Sequence, residues 1–369
     1  MTPVSDPLFE TPHLIVRPFH PADAQRLYEY HLDENVKHWF PNESYKDLAE
    51  AEDAIGFFLD CVSHDRLPYV LAVESKDTEE LIGDTGVSEV EGHPDEVEIG
   101  YVISDAYTGK GYATELASAM NAFVFAKFGL QRVCGRVLHG NDASVRVLEK
   151  SGFSFLREEM GAEDDPYGNG MLVYVCDRLG NLFLEMHPGF FRRDYVKRVS
   201  EEEPASEMLL DLREFDPVVY AKDLPDNVSF GFYDGPVDAL LKAVEVVMPH
   251  WVPFFSEDSR VYCGFVDGEI ASFCMIEDFG EHVVDASGSD PHAAPLSRIG
   301  GPGCVGTVPA YRDRGIGLTM IRNVTQLLRE EGYDFSHIHY TYETGWYGKL
   351  GYRTFLTWSG KGVREVQAL

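Results

Sequence analysis

Two stretches of the chain carry the same order of hydrophobic periods. VEIGYVI (97–103) alternates apolar positions with others at the period of a strand. After the loop SDAYTGKGYA, residues Leu116, Ala117, Met120, Val124 and Phe128 recur at helical spacing. This predicts a helix from near Ala113 that lays one stripe on a sheet and ends at Gly129. RVCGRVL (132–138) reads as a second strand, and Asn141 and Asp142 are cap-type residues before a short helix through Val145 and Leu148 that stops at Gly152. The second half repeats the order. Strand GCVGTV (303–308) leads through PAYRDRG to a helix with Leu318, Ile321, Thr325 and Leu328 on one face and Gly332 at its end. SHIHYTY (336–342) is then a strand, and a short helix around Trp346 and Lys349 stops at Gly351.

From loop glycine to stop glycine there are 41 residues in the first stretch (Gly111 to Gly152) and 36 in the second (Gly315 to Gly351), which marks a repeat on the scale of a domain. The second repeat is preceded by VSFGFYD, an amphipathic stretch from Val237 to Val247, RVYCGFV and EIASFCMI, read as strand, helix, strand, strand. Residues 181–227 fit neither repeat and carry RRDYVKR, an acidic run and DLPDN, so a linker or docking segment is expected there. Its basic residues Arg192, Arg193, Lys197 and Arg198 read as a solvated face. The division is therefore 1–180, 181–227 and 228–369, two α/β domains around a connecting segment.

Composition agrees with two cores. The 369 residues are 44% hydrophobic, spread along the whole length. No apolar run reaches the roughly 20 residues that span a bilayer, and MTPVSDPLFE lacks the pattern of a secretory signal, so a cytoplasmic protein without a membrane partner is expected. With 62 acidic residues against 31 basic, a net charge of −31 argues against binding nucleic acid. It suits a cationic small substrate, or simply a soluble surface. The six cysteines (61, 134, 176, 263, 274, 304) form no C-x-x-C pair and read as buried free thiols.

Closely spaced glycines that open a helix make a phosphate site, because unpaired N–H groups and the positive end of the helix dipole point out of the turn. YTGKGYATE (107–115) and YRDRGIGLTM (311–320) both have this design. Neither is a P-loop, since no G-K-[ST] follows, and neither is a dinucleotide fingerprint, since Thr114 and Met320 replace the third glycine. A glycine-capped helix without a ligand is the plain alternative for one loop. Two loops in matching contexts weigh against it.

These residues resemble the GNAT superfamily of N-acetyltransferases, whose loop Q/R-x-x-G-x-G/A holds the pyrophosphate of acetyl-CoA. The second loop matches at Arg312, Gly315 and Gly317, and the first at Gly111 and Ala113 but with Thr108 in place of Gln or Arg. LIVRPFHPADA and NDASVRVLEKSGF resemble the ribosomal-protein alanine acetyltransferase subgroup. The resemblance covers about residues 8–178 and 228–358. It implies two tandem GNAT-like domains, each a mixed, mostly antiparallel sheet flanked by helices, with acetyl-CoA as co-substrate and no metal. The implied cofactor contacts are Gly109, Lys110, Gly111, Tyr112 and Ala113 in the first loop, and Val308, Arg312, Arg314, Gly315, Ile316 and Gly317 in the second. Backbone N–H groups around Val102 or Val305 would meet the oxyanion. Asn141 and Ser144 match positions near the pantetheine arm, although Asn141 is equally a plain helix cap.

The reaction needs a base for the ammonium and an acid for the departing thiolate. Tyr347 occupies the family's acid position, whereas the equivalent in the first repeat is Leu148. Base candidates are Glu98 on the first loop's approach strand, and Glu277 with Asp278, Asp285 and Asp290 in the second domain. His337 and His339 share a strand face as metal ligands would, but no third ligand is evident nearby in the sequence, so packing or surface roles are expected of them. The second domain is thus expected to pass an acetyl group to a primary amine, small and cationic. Two alternatives stand: the first domain acts on a protein N-terminus or an aminoglycoside, or both sites bind acyl-CoA without turnover. Acceptor pockets are expected from loops 30–60 and 249–258.

Overall fold

The computed structural model describes residues 7–40, 44–90, 93–130, 132–160, 170–220, 222–284 and 294–367. They divide into two compact units, a first up to Glu203 together with Trp358–Val366 and a second of Pro204–Val284 and Pro295–Thr357.

The first unit has strands β1 (Phe9–Glu10), β2 (Leu14–Arg17), β3 (Tyr69–Ser75), β4 (Glu80–Val90), β5 (His93–Ile103), β6 (Arg132–Leu138), β7 (Ser154–Glu159) and β8 (Met171–Asp177). They form one sheet in the order β1-β2-β3-β4-β5-β6-β8-β7. Helices α1 (Ala24–Tyr30), α2 (Glu34–Trp39) and α3 (Leu48–Ser63) precede β3, α4 (Tyr112–Phe128) and α5 (Asp142–Lys150) flank β6, and α6 (Arg178–Met186) follows β8. Among the described residues, the strand contacts in this sheet are antiparallel except β5 with β6. The helical stripe read from the sequence is the buried face of α4: Leu116, Ala117, Met120 and Val124 are fully covered in the main core. Each of the larger ones contributes about 1.5–3 kcal/mol by leaving water.

The second unit has β9 (Ala205–Asp211), β10 (Val228–Phe232), β11 (Val261–Val266), β12 (Glu269–His282), β13 (Ser297–Thr307), β14 (Phe335–Thr341) and β15 (Arg353–Ser359), in sheet order β10-β11-β12-β13-β14-β9-β15. Its helices are α7 (Val237–Val247), α8 (Ile316–Glu330) and α9 (Thr344–Tyr347). The strand, helix, strand, strand order expected from residue 228 is present as β10, α7, β11 and β12.

The segment 181–227, expected as a linker or docking segment, is structured in large part. Its start belongs to α6, and β9 is an interior strand of the second sheet between β14 and β15. The reason is the apolar run Met208, Leu209, Leu210, Leu212, which is buried throughout and too short to register as a domain signal. All six cysteines are free thiols, five of them buried.

Candidate active site

In both units the strand that leads to the glycine loop pairs with its parallel neighbour only at the start. β5 meets β6 over Glu96–Glu98, and β13 meets β14 at Ile299 and Gly300. Beyond these points the strands part and leave a wedge whose tip is the loop. The two loops have nearly one backbone. Each begins with a three-residue 3-10 turn, 105–107 or 309–311. Thr108 at φ −67°, ψ 158° matches Arg312 at φ −64°, ψ 159°. Gly111 caps α4 at φ 84°, ψ 2°, and Gly315 caps α8 at φ 83°, ψ −2°. This left-handed conformation is why glycine stands there. It turns the unpaired N–H groups of the first helical turn outward.

In the first unit a cleft of 370 Å³ opens between Tyr101, Val102 and Ile103 of β5, the loop from Tyr107 to Thr114, and Asn141, Ser144 and Val147 of α5. Asn35, Trp39 and Phe40 close its other side. Gly109, Gly111, Tyr112 and Ala113 therefore line one cavity with Asn141 and Ser144. Lys110 turns aside, its ammonium 4.6 Å from the centroid of the Tyr107 ring. Asn141 accepts from the Ser144 N–H at 3.1 Å, so it caps α5 as well as lining the cleft. Arg192 donates to the Gly111 carbonyl at 3.3 Å and to Glu115 at 2.9 Å, so one member of the solvated basic run reaches back to the loop.

A second cleft, 820 Å³, adjoins the first and shares Phe40, Tyr101, Val102 and Ser144 with it. Among the described residues, Glu50, Asp53, Asp84 and Glu98 line it together with Arg136. At its buried floor Asp84 accepts from the Tyr30 hydroxyl at 2.7 Å and lies 3.2 Å from His31 Nε2. Glu98 does leave the face of buried Val97 and Ile99, but it pairs with Arg136 at 3.3 Å. Where the clefts meet, the Tyr101 and Ser144 hydroxyls are 2.9 Å apart. Burial raises the Tyr101 phenol above its ordinary value, with the Ser144 hydrogen bond working the other way, so the phenol keeps its proton. Leu148 is fully buried, packed where any side chain on Gly135 would meet it.

Val102 is less apt as an oxyanion donor than the sequence suggests. Ser104 N–H donates to the Ile82 carbonyl, and antiparallel alternation then directs Val102 N–H toward its partner Asp84. Tyr101 and Ile103 carry the N–H groups that face the wedge. Val305 differs, because β13 slips register between Gly303 and Gly306, with Cys304 at φ 47°, and Val305 lies in that bulge.

In the second unit Arg312 donates to the Thr307 carbonyl at 3.2 Å and Arg314 to the Ala310 carbonyl at 2.8 Å, so both brace the loop while remaining exposed. Val308 precedes the 3-10 turn and Ile316 is buried at the start of α8. Gly317 is required by packing, since a Cβ there would come within 2.5 Å of Thr307 Oγ1. Lys222 lies directly against Gly315, where a Cβ would meet its Cδ at 2.5 Å. Tyr347 is buried in the core, its ring 4.8 Å from Trp346 and 6.1 Å from Tyr352, and burial raises its phenol above the ordinary value. Glu277 is half-buried against β13, where only a glycine at 303 leaves it room, and burial raises its carboxyl. Asp278 instead pairs with Arg298 at 2.8 Å. Asp285 and Asp290 lie outside the described residues.

Sequence reasoning missed the His31–Asp84 pair, Tyr101, Arg146 and Lys150 on the glycine-loop cleft, Arg192 and Lys222. None belongs to a local motif. Only the i, i+4 spacing of Arg146 and Lys150 on α5 could have shown two cations on one face.

The acetyltransferase (GNAT) domain family matches residues 13–154. The uncharacterized N-acetyltransferase YoaA of Bacillus subtilis is 29% identical over 47% of this chain and 98% of its own length. The uncharacterized N-acetyltransferase YnaD of the same organism is 31% identical over 43% of this chain and 88% of its own length. A GNAT-family acetyltransferase structure from Bacillus anthracis aligns with a TM-score of 0.40 at 23% identity, over 46% of this chain and 96% of that one. By its first unit, with glycine loop, wedge and matched sequence on the same residues, the chain belongs to the acetyltransferase (GNAT) family and is an acyltransferase.

Proposed function

We propose that the chain is an acetyl-CoA-dependent N-acetyltransferase whose first unit carries the reaction and whose acceptor is a small cationic primary amine. The observation that carries this reading is the junction of the glycine-loop cleft with an acid-lined cleft at Tyr101 and Ser144. The pyrophosphate lies on the N–H groups after Gly111, with Arg146 and Lys150 as cations on the same cleft. Glu50, Asp53 and Asp84 attract an ammonium group. The amine must lose a proton before it attacks the thioester carbon, and His31, held by Asp84, is the base within the cleft. The new C–N bond forms as the carbonyl oxygen takes negative charge, and N–H groups of the β5 wedge meet it. The C–S bond then breaks, the thiolate takes the Tyr101 proton, and the second proton of the attacking nitrogen returns to the Tyr101 oxygen, leaving the neutral amide and the free thiol.

A second reading moves the reaction to the other unit, which is GNAT-like in its loop backbone and its wedge. Glu277 favours it, because a carboxyl raised by burial is a better base at neutral pH. Tyr347 is then the acid. A thiol-release assay on polyamines, amino acids, aminoglycosides and peptides separates the readings. Tyr101→Phe is expected to lower kcat about 100-fold, with Tyr347→Phe near wild type. The reverse pattern moves catalysis to the second unit. Acetyl-CoA binding without thiol release on any amine rejects both.

A further inference from the structure

His337 and His339 in the second unit face a third polar group that the loops do not use. Their imidazoles converge on Glu207, which lies across the β9–β14 ladder. His337 Nε2 is 2.9 Å from Glu207 Oε2, and His339 Nδ1 is 3.1 Å from Oε1 and 3.0 Å from Oε2. The convergence is built by the strands. His337 and His339 are two apart on β14 and share a face. The ladder is regular from Phe335 to Ile338, then slips so that Thr341 faces Ser206. The extra residue is a bulge in which Tyr340 has φ 51°, and its N–H donates to Glu207 Oε1 at 3.2 Å. That is a costly conformation for an aromatic residue, and it turns the backbone toward the carboxylate.

Glu207 and His337 are fully buried, with the Phe279 ring 5.0 Å from the His337 ring. A carboxylate so placed keeps its charge only where partners converge on it, and here two imidazoles and an N–H do. We infer that Glu207, His337 and His339 form a binding site for a divalent transition-metal ion of the zinc class. Two imidazoles and a carboxylate are a donor set for zinc, and no thiolate enters it. Bonds of about 2.0–2.2 Å at tetrahedral angles hold neighbouring donors roughly 3.3 Å apart. The two histidine–carboxylate spacings reach this with shifts of a few tenths of an ångström, and the donor atoms all lie within 4.8 Å of one another. The His339 side chain is 20% exposed, which gives the ion a path. The site is independent of which unit catalyses.

The full chain, stripped with a chelator and dialysed, is titrated with zinc chloride by calorimetry. One ion per chain is expected at micromolar zinc. Glu207→Gln and His339→Gln should each weaken binding by more than about 100-fold, beyond the loss of an outer-shell partner. Cobalt(II) in place of zinc should give the visible absorption of a four-coordinate site, absent in His339→Gln. Should Glu207→Gln fail to fold, partly exposed His339 and the cobalt spectrum decide. No bound ion, or an ion bound equally well by His339→Gln, overturns the site and leaves a hydrogen-bonded cluster.

Discussion

Glu115 shows how much of the first loop's support comes from single residues distant in sequence. It sits in the first turn of α4, where a negative charge suits the helix dipole, and accepts from Thr11 Oγ1 at 2.6 Å, the His13 N–H at 2.9 Å and Arg192 at 2.9 Å. Burial works against its charge, but these hydrogen bonds prevail and hold its carboxyl down at about 2. Because the folded value is depressed, the stabilisation is fully present above the unfolded value, about 4.3, and is lost as pH falls through about 2. Glu115→Gln should therefore destabilise the first unit by on the order of 2–3 kcal/mol at pH 7, with the difference shrinking steadily below pH ~4. Urea unfolding at pH 7 and at pH 2.5 checks this; equal losses at both would mean that only packing was removed. Arg192 and Lys222 belong to the same lesson. Each reaches a loop glycine from a segment whose sequence reads only as charged surface.

Elements were legible wherever a period and a stop residue coincided. α4 starts at Tyr112, one residue before the expected Ala113, and its C-cap is Gly129 in the left-handed conformation. β14 covers Phe335–Thr341 against an expected 336–342. What the periods could not give is pairing. β9 inserts between β14 and β15 from far upstream, and alternation within a strand does not name its neighbour. The bulges at Cys304 and Tyr340 leave no mark in the hydrophobic pattern either, yet one places Val305 and the other turns the Tyr340 N–H toward Glu207. α5 is a case where one residue serves two ends. Asn141→Ala should destabilise the first unit by about 1 kcal/mol through loss of the cap, and Asn141→Ser should restore most of it. Thermal unfolding and CoA titration of both variants separate the roles. Serine restoring stability but not CoA affinity assigns Asn141 a ligand contact; restoring both makes it a cap alone.

At the scale of the whole chain, the repeat that the sequence announced is a repeat of backbone more than of chemistry. Loop dihedrals agree within a few degrees, and in each unit the approach strand leaves its parallel neighbour after two or three residues. Around this shared frame the side chains diverge. The first unit has Tyr101 with Ser144 and buried Leu148, and the second has Glu277 with Tyr347 and Lys222 against its loop. A pyrophosphate is held mainly by backbone N–H groups, so the frame alone predicts two sites, whereas turnover depends on side chains and predicts one principal catalyst. Calorimetry with CoA should then find two sites per chain. Gly111→Val and Gly315→Val should each remove one, because valine at φ near +84° costs about 1–2 kcal/mol in backbone strain and, at 315, displaces Lys222. Only Gly111→Val should abolish thiol release. One site in the wild type, lost in Gly111→Val and kept in Gly315→Val, would make the second loop a scaffold whose glycine serves only to turn the chain into α8.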